Sequence, residues 1–132
     1  MLVVDATVAV VAANSPSGFD QLANERLVAP PLMWPEARSA LHEAAWRGEI
    51  TAQDAELARS ALESCPVEER QPDGLGAEAW RIADELGWAK TYDAEYVALA
   101  RLLGCRVVTL DERLRRGADR LGIVISPTEL AP

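Results

Sequence analysis

The chain reads as an α/β domain built on a parallel central sheet, and three observations predict it. Short apolar runs (LVV at 2–4, LVAP at 27–30, RVVTL at 106–110, GIVIS at 122–126) alternate with segments of helical period. The runs are branched and nearly continuous rather than alternating, as strands covered on both faces require. The segments between them are long enough for right-handed helical crossovers. With 132 residues, 49% hydrophobic and 26% charged, the chain can bury a sizeable core, and a single domain over residues 1–132 is expected.

Each element has a local cause. LVV before Asp5 is a buried strand, and the alanines of ATVAVVAAN favour a helix that the Asn14-Ser15-Pro16-Ser17-Gly18 stretch ends. LVAP is a second strand. Pro35 suits the first turn of a helix, and PEARSALHEAAWR places Ala37, Ala40, Leu41, Ala44 and Ala45 on one face before stopping at Gly48. Thr51 is a good N-cap for AQDAELARSALES, with Asp54 making a variant of the capping box. The helical middle section is expected to form a hairpin on one face of the sheet. Val67 marks a short strand between charged neighbours, and residues 76–86 a helix ending at Gly87. Thr91 then caps YDAEYVALARLL, which Gly104 terminates. RVVTL is a buried strand, DERLRR a short helical turn, and GIVIS a last strand before Pro127.

Composition excludes several classes of function. No apolar run approaches the roughly 20 residues of a membrane helix, and the N-terminal stretch lacks the basic start of a signal peptide. Cys65 and Cys105 are too few for a disulfide framework, and one histidine, His42, cannot assemble a Cys/His zinc site. A reduced, cytoplasmic setting is expected. The net charge of −8 is unlike a nucleic-acid-binding surface, but its distribution is uneven. Acids crowd residues 49–85, whereas Arg101, Arg106, Arg113, Arg115, Arg116 and Arg120 gather toward the C-terminal end.

Four acidic residues stand out. Asp5 closes a strand run and Asp111 closes another, while Glu36 and Asp93 fall in the first turns of helices. Open α/β sheets bind ligands at the carboxyl ends of their strands, where all four are expected to converge. Taken singly, each has an ordinary explanation: Asp5 and Asp111 as helix caps, Glu36 and Asp93 as partners of a helix dipole. Taken together, like charges on one edge call for a cation among them. A donor set of carboxylates without imidazole or thiolate selects Mg²⁺ or Mn²⁺. Such ions promote phosphodiester hydrolysis by activating water and stabilising the leaving oxygen.

The same residues carry a resemblance. VVDATVAV, PEARSAL, TYDAEYVALA and VVTLDERL, in that order and spacing, resemble the PIN-domain ribonucleases, and more narrowly the VapC toxins of toxin–antitoxin pairs. The resemblance implies a PIN-like three-layer α/β/α fold with a parallel central sheet and a helical hairpin insertion. It implies that Asp5, Glu36, Asp93 and Asp111 form an acidic quartet holding Mg²⁺, with Thr7, Ser39 and Thr109 as supporting polar residues. It further implies endonucleolytic RNA cleavage, a homodimer and a cognate antitoxin as partner. Leu114 stands where relatives often carry an aromatic residue. Two rival readings remain at this point: a non-catalytic PIN-like protein kept for partner binding, and a phosphoacceptor or phosphatase domain. The phosphatase pattern wants a second Asp where this chain has Thr7.

Other residues invite plainer readings. His42 lies nearly two turns beyond Glu36 and off its side of the helix, which favours a partly exposed structural role. Trp34, Trp46, Trp80 and Trp88 are expected in the core or at a partner interface rather than stacked on bases. Lys90, the only lysine, and Arg113, Arg115 and Arg116 are read as surface cations that can also meet a phosphate or an acidic partner segment.

Overall fold

The computed structural model describes residues 1–130. Five strands, β1 (Leu2–Val4), β2 (Leu27–Ala29), β3 (Val67–Glu69), β4 (Arg106–Val108) and β5 (Val124–Ile125), form one sheet in the order β3-β2-β1-β4-β5. Every pairing is parallel, with Val3 opposite Val28 on one side and Val107 on the other. Residues of β1 and β2 are buried along their whole length, which is why their sequences show no alternation.

Helices α1 (Ala6–Ala13), α2 (Met33–Trp46) and α3 (Ala52–Glu63) pack on one another in one layer. The helices α4 (Leu75–Leu86) and α5 (Tyr92–Leu103) pair in the other, with α5 against β1 and β4. A short α6 (Glu112–Gly117) follows β4 and touches β5. The result is the expected three-layer α/β/α sandwich, and α2 pairs with α3 in the helical middle section. Chain direction explains the division. From β1 the chain steps outward through β2 to β3, then returns past β1 to β4 and on to β5. Right-handed crossovers place the outward helices on one face and the returning ones on the other.

That reversal puts the switch point between β1 and β4, and a crevice opens beyond their carboxyl ends. The core on either side is dense. Val3, Val4, Val28, Val107 and Val108 are fully buried, and α5 is covered from Ala94 through Ala100 except at Glu95.

Several local expectations are refined. Helix α2 begins at Met33, two residues before Pro35, which still occupies the first turn where its missing N–H is not needed. Thr51 caps α3 through its side chain, accepting the Asp54 N–H at 3.0 Å. Thr91 occupies the cap position of α5 but makes no side-chain cap, because its backbone is already helical rather than extended. Trp34 and Trp88 are partly buried against the core, whereas Trp46 and Trp80 are 84% and 66% exposed, so no core role applies to them.

Candidate functional site

Four helix starts meet at the crevice. Asp5 follows β1 and caps α1, its extended backbone setting Oδ1 to accept the Val8 N–H at 3.1 Å. Asp111 lies three residues past β4 and caps α6, accepting the Arg113 N–H at 2.9 Å and the Leu114 N–H at 3.3 Å. Glu36 is in the first turn of α2 and Asp93 in the first turn of α5. The ordinary explanations of Asp5 and Asp111 as caps are therefore correct, and the two caps nonetheless share one crevice. Helix N-termini favour negative charge, which is how the fold tolerates this gathering.

Asp5 is the most constrained of the four, with only 4% of its surface exposed. Thr7 Oγ1 donates to its Oδ1 at 2.6 Å, and Thr109 Oγ1 donates to its Oδ2. Both hydroxyls are oriented from behind: the Leu110 N–H donates to Thr7 at 3.0 Å and the Asp111 N–H to Thr109 at 2.9 Å. Each threonine thus accepts from a backbone N–H and gives its own proton to Asp5. A carboxylate has about four acceptor positions. Three are taken here, leaving Oδ2 with one to offer a ligand.

The charges of these groups are felt mutually. Burial raises the Asp5 carboxyl above its usual range; hydrogen bonds from Thr109, Thr7 and Val8 oppose the rise, and the charge of Asp111 adds to it. Glu36 is raised by burial and by Asp93, Asp5 and Glu95, while its hydrogen bond from Tyr96 counteracts them. Asp93 is raised by burial and by Asp111, and lowered by Arg113. Glu95, half-buried beside them, is raised by burial. Such a set is an electrostatic cluster in which a cation would relieve every member.

The donor chemistry is uniformly oxygen. His42 is exposed on α2, Cys105 lies before β4 at the opposite edge of the sheet, and Cys65 is beyond α3. The residues present therefore suit a hard divalent ion. Among the described residues, no three of the acidic or sulfur- and imidazole-bearing side chains close into a common coordination shell. The carboxylates are near enough for their charges to act on one another, and an ion that keeps several of its waters needs only one or two of them directly.

Sequence reading missed Tyr96. It is buried on α5 and donates its hydroxyl to Glu36 Oε1 at 2.5 Å. Burial and the neighbouring carboxylates push its phenol far above the ordinary range, so it stays a donor. Ser39, by contrast, is exposed one turn after Glu36 and has no hydrogen bond to the four carboxylates among the described residues. The structure brings Thr7 and Thr109 into the network and leaves Ser39 out. Beside Glu36 and Asp93, a groove of about 550 Å³ continues past Trp88, Lys90, Tyr92 and Arg113.

This chain belongs to the PIN-domain family, whose sequence pattern matches residues 2–120. Within that family it falls among the VapC ribonucleases. It is 37% identical over 115 residues to the VapC ribonuclease Mb0985 of Mycobacterium bovis and to ribonuclease VapC9 of Mycobacterium tuberculosis, matches that span 86% of this chain and 88% of each relative. Among solved structures, that of PAE2754 from Pyrobaculum aerophilum superposes with a TM-score of 0.73 at 29% identity, covering 98% of this chain and 92% of the other. The Mycobacterium tuberculosis toxin VapC20, a sarcin-ricin loop cleaving toxin, superposes over the full length of both chains with a TM-score of 0.64. At 17% identity that second likeness concerns the fold alone.

Proposed function

We propose that this chain is a Mg²⁺-dependent endoribonuclease, the toxin of a type II toxin–antitoxin pair, with residues 1–132 acting as one domain. The observation that carries the reading is Asp5: a nearly buried carboxylate at the sheet's switch point, fixed by two threonines and within the field of Asp111 and Glu36. Burial and like charge both work against such a group, so it is held for something other than stability. The names of the curated relatives, both ribonucleases, support RNA as the substrate, and the antitoxin partner follows from the resemblance to VapC toxins.

In this reading Asp5 and Asp93 hold the Mg²⁺, with Mn²⁺ as an alternative, and Glu36 and Asp111 complete its surroundings. The ion supplies Lewis-acid stabilisation of charge on the phosphate. The protein supplies the remainder. Thr7 and Thr109 aim Asp5, and Tyr96 fixes the rotamer of Glu36. Glu36, with its affinity for protons raised by its neighbours, orients the attacking water and takes a proton from it. Water then forms the new bond to phosphorus as the ester P–O bond breaks, and the leaving oxygen takes up a proton from solvent water.

Homodimerisation and a cytoplasmic setting belong to the same proposal. Val11 and Leu57, 55% and 64% exposed, border an apolar groove between α1 and α3, and an apolar face of this kind suits contact with another protein. Incubating the full chain with RNA and Mg²⁺ or Mn²⁺ tests the chemistry. Internal cleavage that disappears in EDTA and in Asp5→Asn is the expected result. Cleavage by Asp5→Asn or Asp93→Asn at the unsubstituted rate would overturn the assignment.

A further inference from the structure

The groove beside Glu36 and Asp93 contains both signs of charge. Lys90 and Arg113 line it together with the two acids, Trp88 and Tyr92. What sets these two cations apart is their place, beside the acids in one groove and free of any ion pair among the described residues. In a chain of net charge −8, the ion pairs among the described residues tie Arg26, Arg47, Arg59, Arg70, Arg81, Arg101 and Arg115 to carboxylates. Neither Lys90 nor Arg113 belongs to any of those pairs. Both are exposed, and Arg113 lies close enough to Asp93 for its charge to be felt there.

The aromatic side chains differ in freedom. Trp88 is seated on Gly117, where even an added Cβ would come within 3.3 Å of its ring, so it forms a fixed wall. Tyr92 is 56% exposed and stands at the first position of α5. That helix start has no side-chain cap, so its N–H groups add positive potential beside Lys90.

We infer that this groove is the binding track for the RNA strand: Lys90 and Arg113 clamp backbone phosphates flanking the acidic site, and Tyr92 stacks on an unpaired base. The inference rests on the ribonuclease reading and adds to it the residues that bind the strand and a preference for single-stranded substrate. It also resolves how an acidic chain can hold an anionic polymer. The favourable field is local, made by cations that have no carboxylate partner of their own.

The test reads binding rather than cleavage. Full-length protein in EDTA is titrated against a short fluorescent single-stranded RNA, followed by anisotropy at several salt concentrations. Lys90→Ala and Arg113→Ala are expected to weaken binding, and each to reduce the slope of log K against log salt by about 0.7. Tyr92→Ala is expected to lose about tenfold with the salt slope unchanged, and Tyr92→Phe to bind as the unsubstituted chain. A matched RNA duplex is expected to bind more weakly than the single strand. Arg59→Ala alters net charge equally but removes an arginine already paired with Glu56 and Glu63 on α3. If it weakens binding as much as Lys90→Ala, or if the groove variants bind normally, the clamp is overturned. A chain that binds through the groove but never cuts RNA would instead overturn the hydrolytic reading alone.

Discussion

Tyr96 and Glu36, 60 residues apart in the chain, are joined by a hydrogen bond of 2.5 Å that links the α5 layer to the α2 layer across the crevice. The phenol has no other partner among the described hydrogen bonds, and it favours the ionised carboxylate, in part offsetting burial and the charges of Asp93, Asp5 and Glu95, which raise Glu36. Tyr96 is thus a positioning residue for Glu36.

Tyr96→Phe keeps the ring and removes only this bond. The expected loss of stability is about 1 kcal/mol. Cleavage should fall about tenfold, with Glu36 left unoriented. Because the hydrogen bond lowers the Glu36 pKa, its removal should move the acid limb of the pH–rate profile upward. A variant with reduced rate but an unmoved acid limb would show that the hydroxyl serves packing alone.

The pH dependence of stability follows from the same charges. Asp5, Glu36, Asp93 and Glu95 are all raised above the ordinary carboxylate values of 3.8 and 4.5. Just above those values the folded chain therefore binds more protons than the unfolded one, and stability falls as pH rises through the window. Glu129 moves the other way, lowered to about 2 by Arg115 and Ser126, but its contribution is already complete above 4.5. In EDTA the melting temperature should decline from about pH 5 toward neutrality, and millimolar Mg²⁺ should flatten the decline. Melting curves that coincide with and without divalent ion would count against the cluster as a cation site.

Asp93→Asn separates function from stability. The substitution removes one of the repelling charges in a partly buried position, so the metal-free protein should melt at a higher temperature than its parent. Cleavage should be lost. An acid serving only the helix dipole would behave oppositely, costing stability when neutralised and leaving the rate intact.

How far the sequence revealed this site depended on the range of the interaction. Asp5 and Asp111 were legible because a strand run such as LVVD or VVTLD places its last acid at the sheet edge by direct reading. Glu36 and Asp93 were legible because helix starts are marked locally, by Pro35 and by the periodic YDAEYVALA stretch. Tyr96 was not, since an aromatic residue in an apolar helical stripe looks like core, and it is core apart from one hydroxyl. The clue available was that a buried tyrosine needs a hydrogen-bond partner. Ser39, named through the family resemblance, is exposed on α2, because helix orientation against α1 is set by tertiary packing rather than by local residues. Thr91 is the correct boundary, yet its backbone angles, φ −100° and ψ −2°, depend on how α5 docks and cannot be read from local residues.

Thr109 gives the sharpest test of the preorganised Asp5. Its hydroxyl donates to Asp5 Oδ2 and accepts the Asp111 N–H, so one side chain couples the end of β1 to the turn that presents Asp111. It is 1% exposed, and water cannot readily replace it. Thr109→Val is nearly isosteric and strands both groups, which should cost about 2–3 kcal/mol. Thr109→Ser keeps the hydroxyl and loses one buried methyl, for about 1 kcal/mol. Stability alone would rank these two variants without implicating the site. Cleavage discriminates: Thr109→Val should lose more than tenfold at saturating Mg²⁺ and at a temperature where it is fully folded, because Asp5 is free to rotate and Asp111 loses its register. Thr109→Ser should cut at close to the parent rate. Equal rates for both would mean that the carboxylate finds its working position without the threonine, and that the network from Thr109 through Asp5 is structural only.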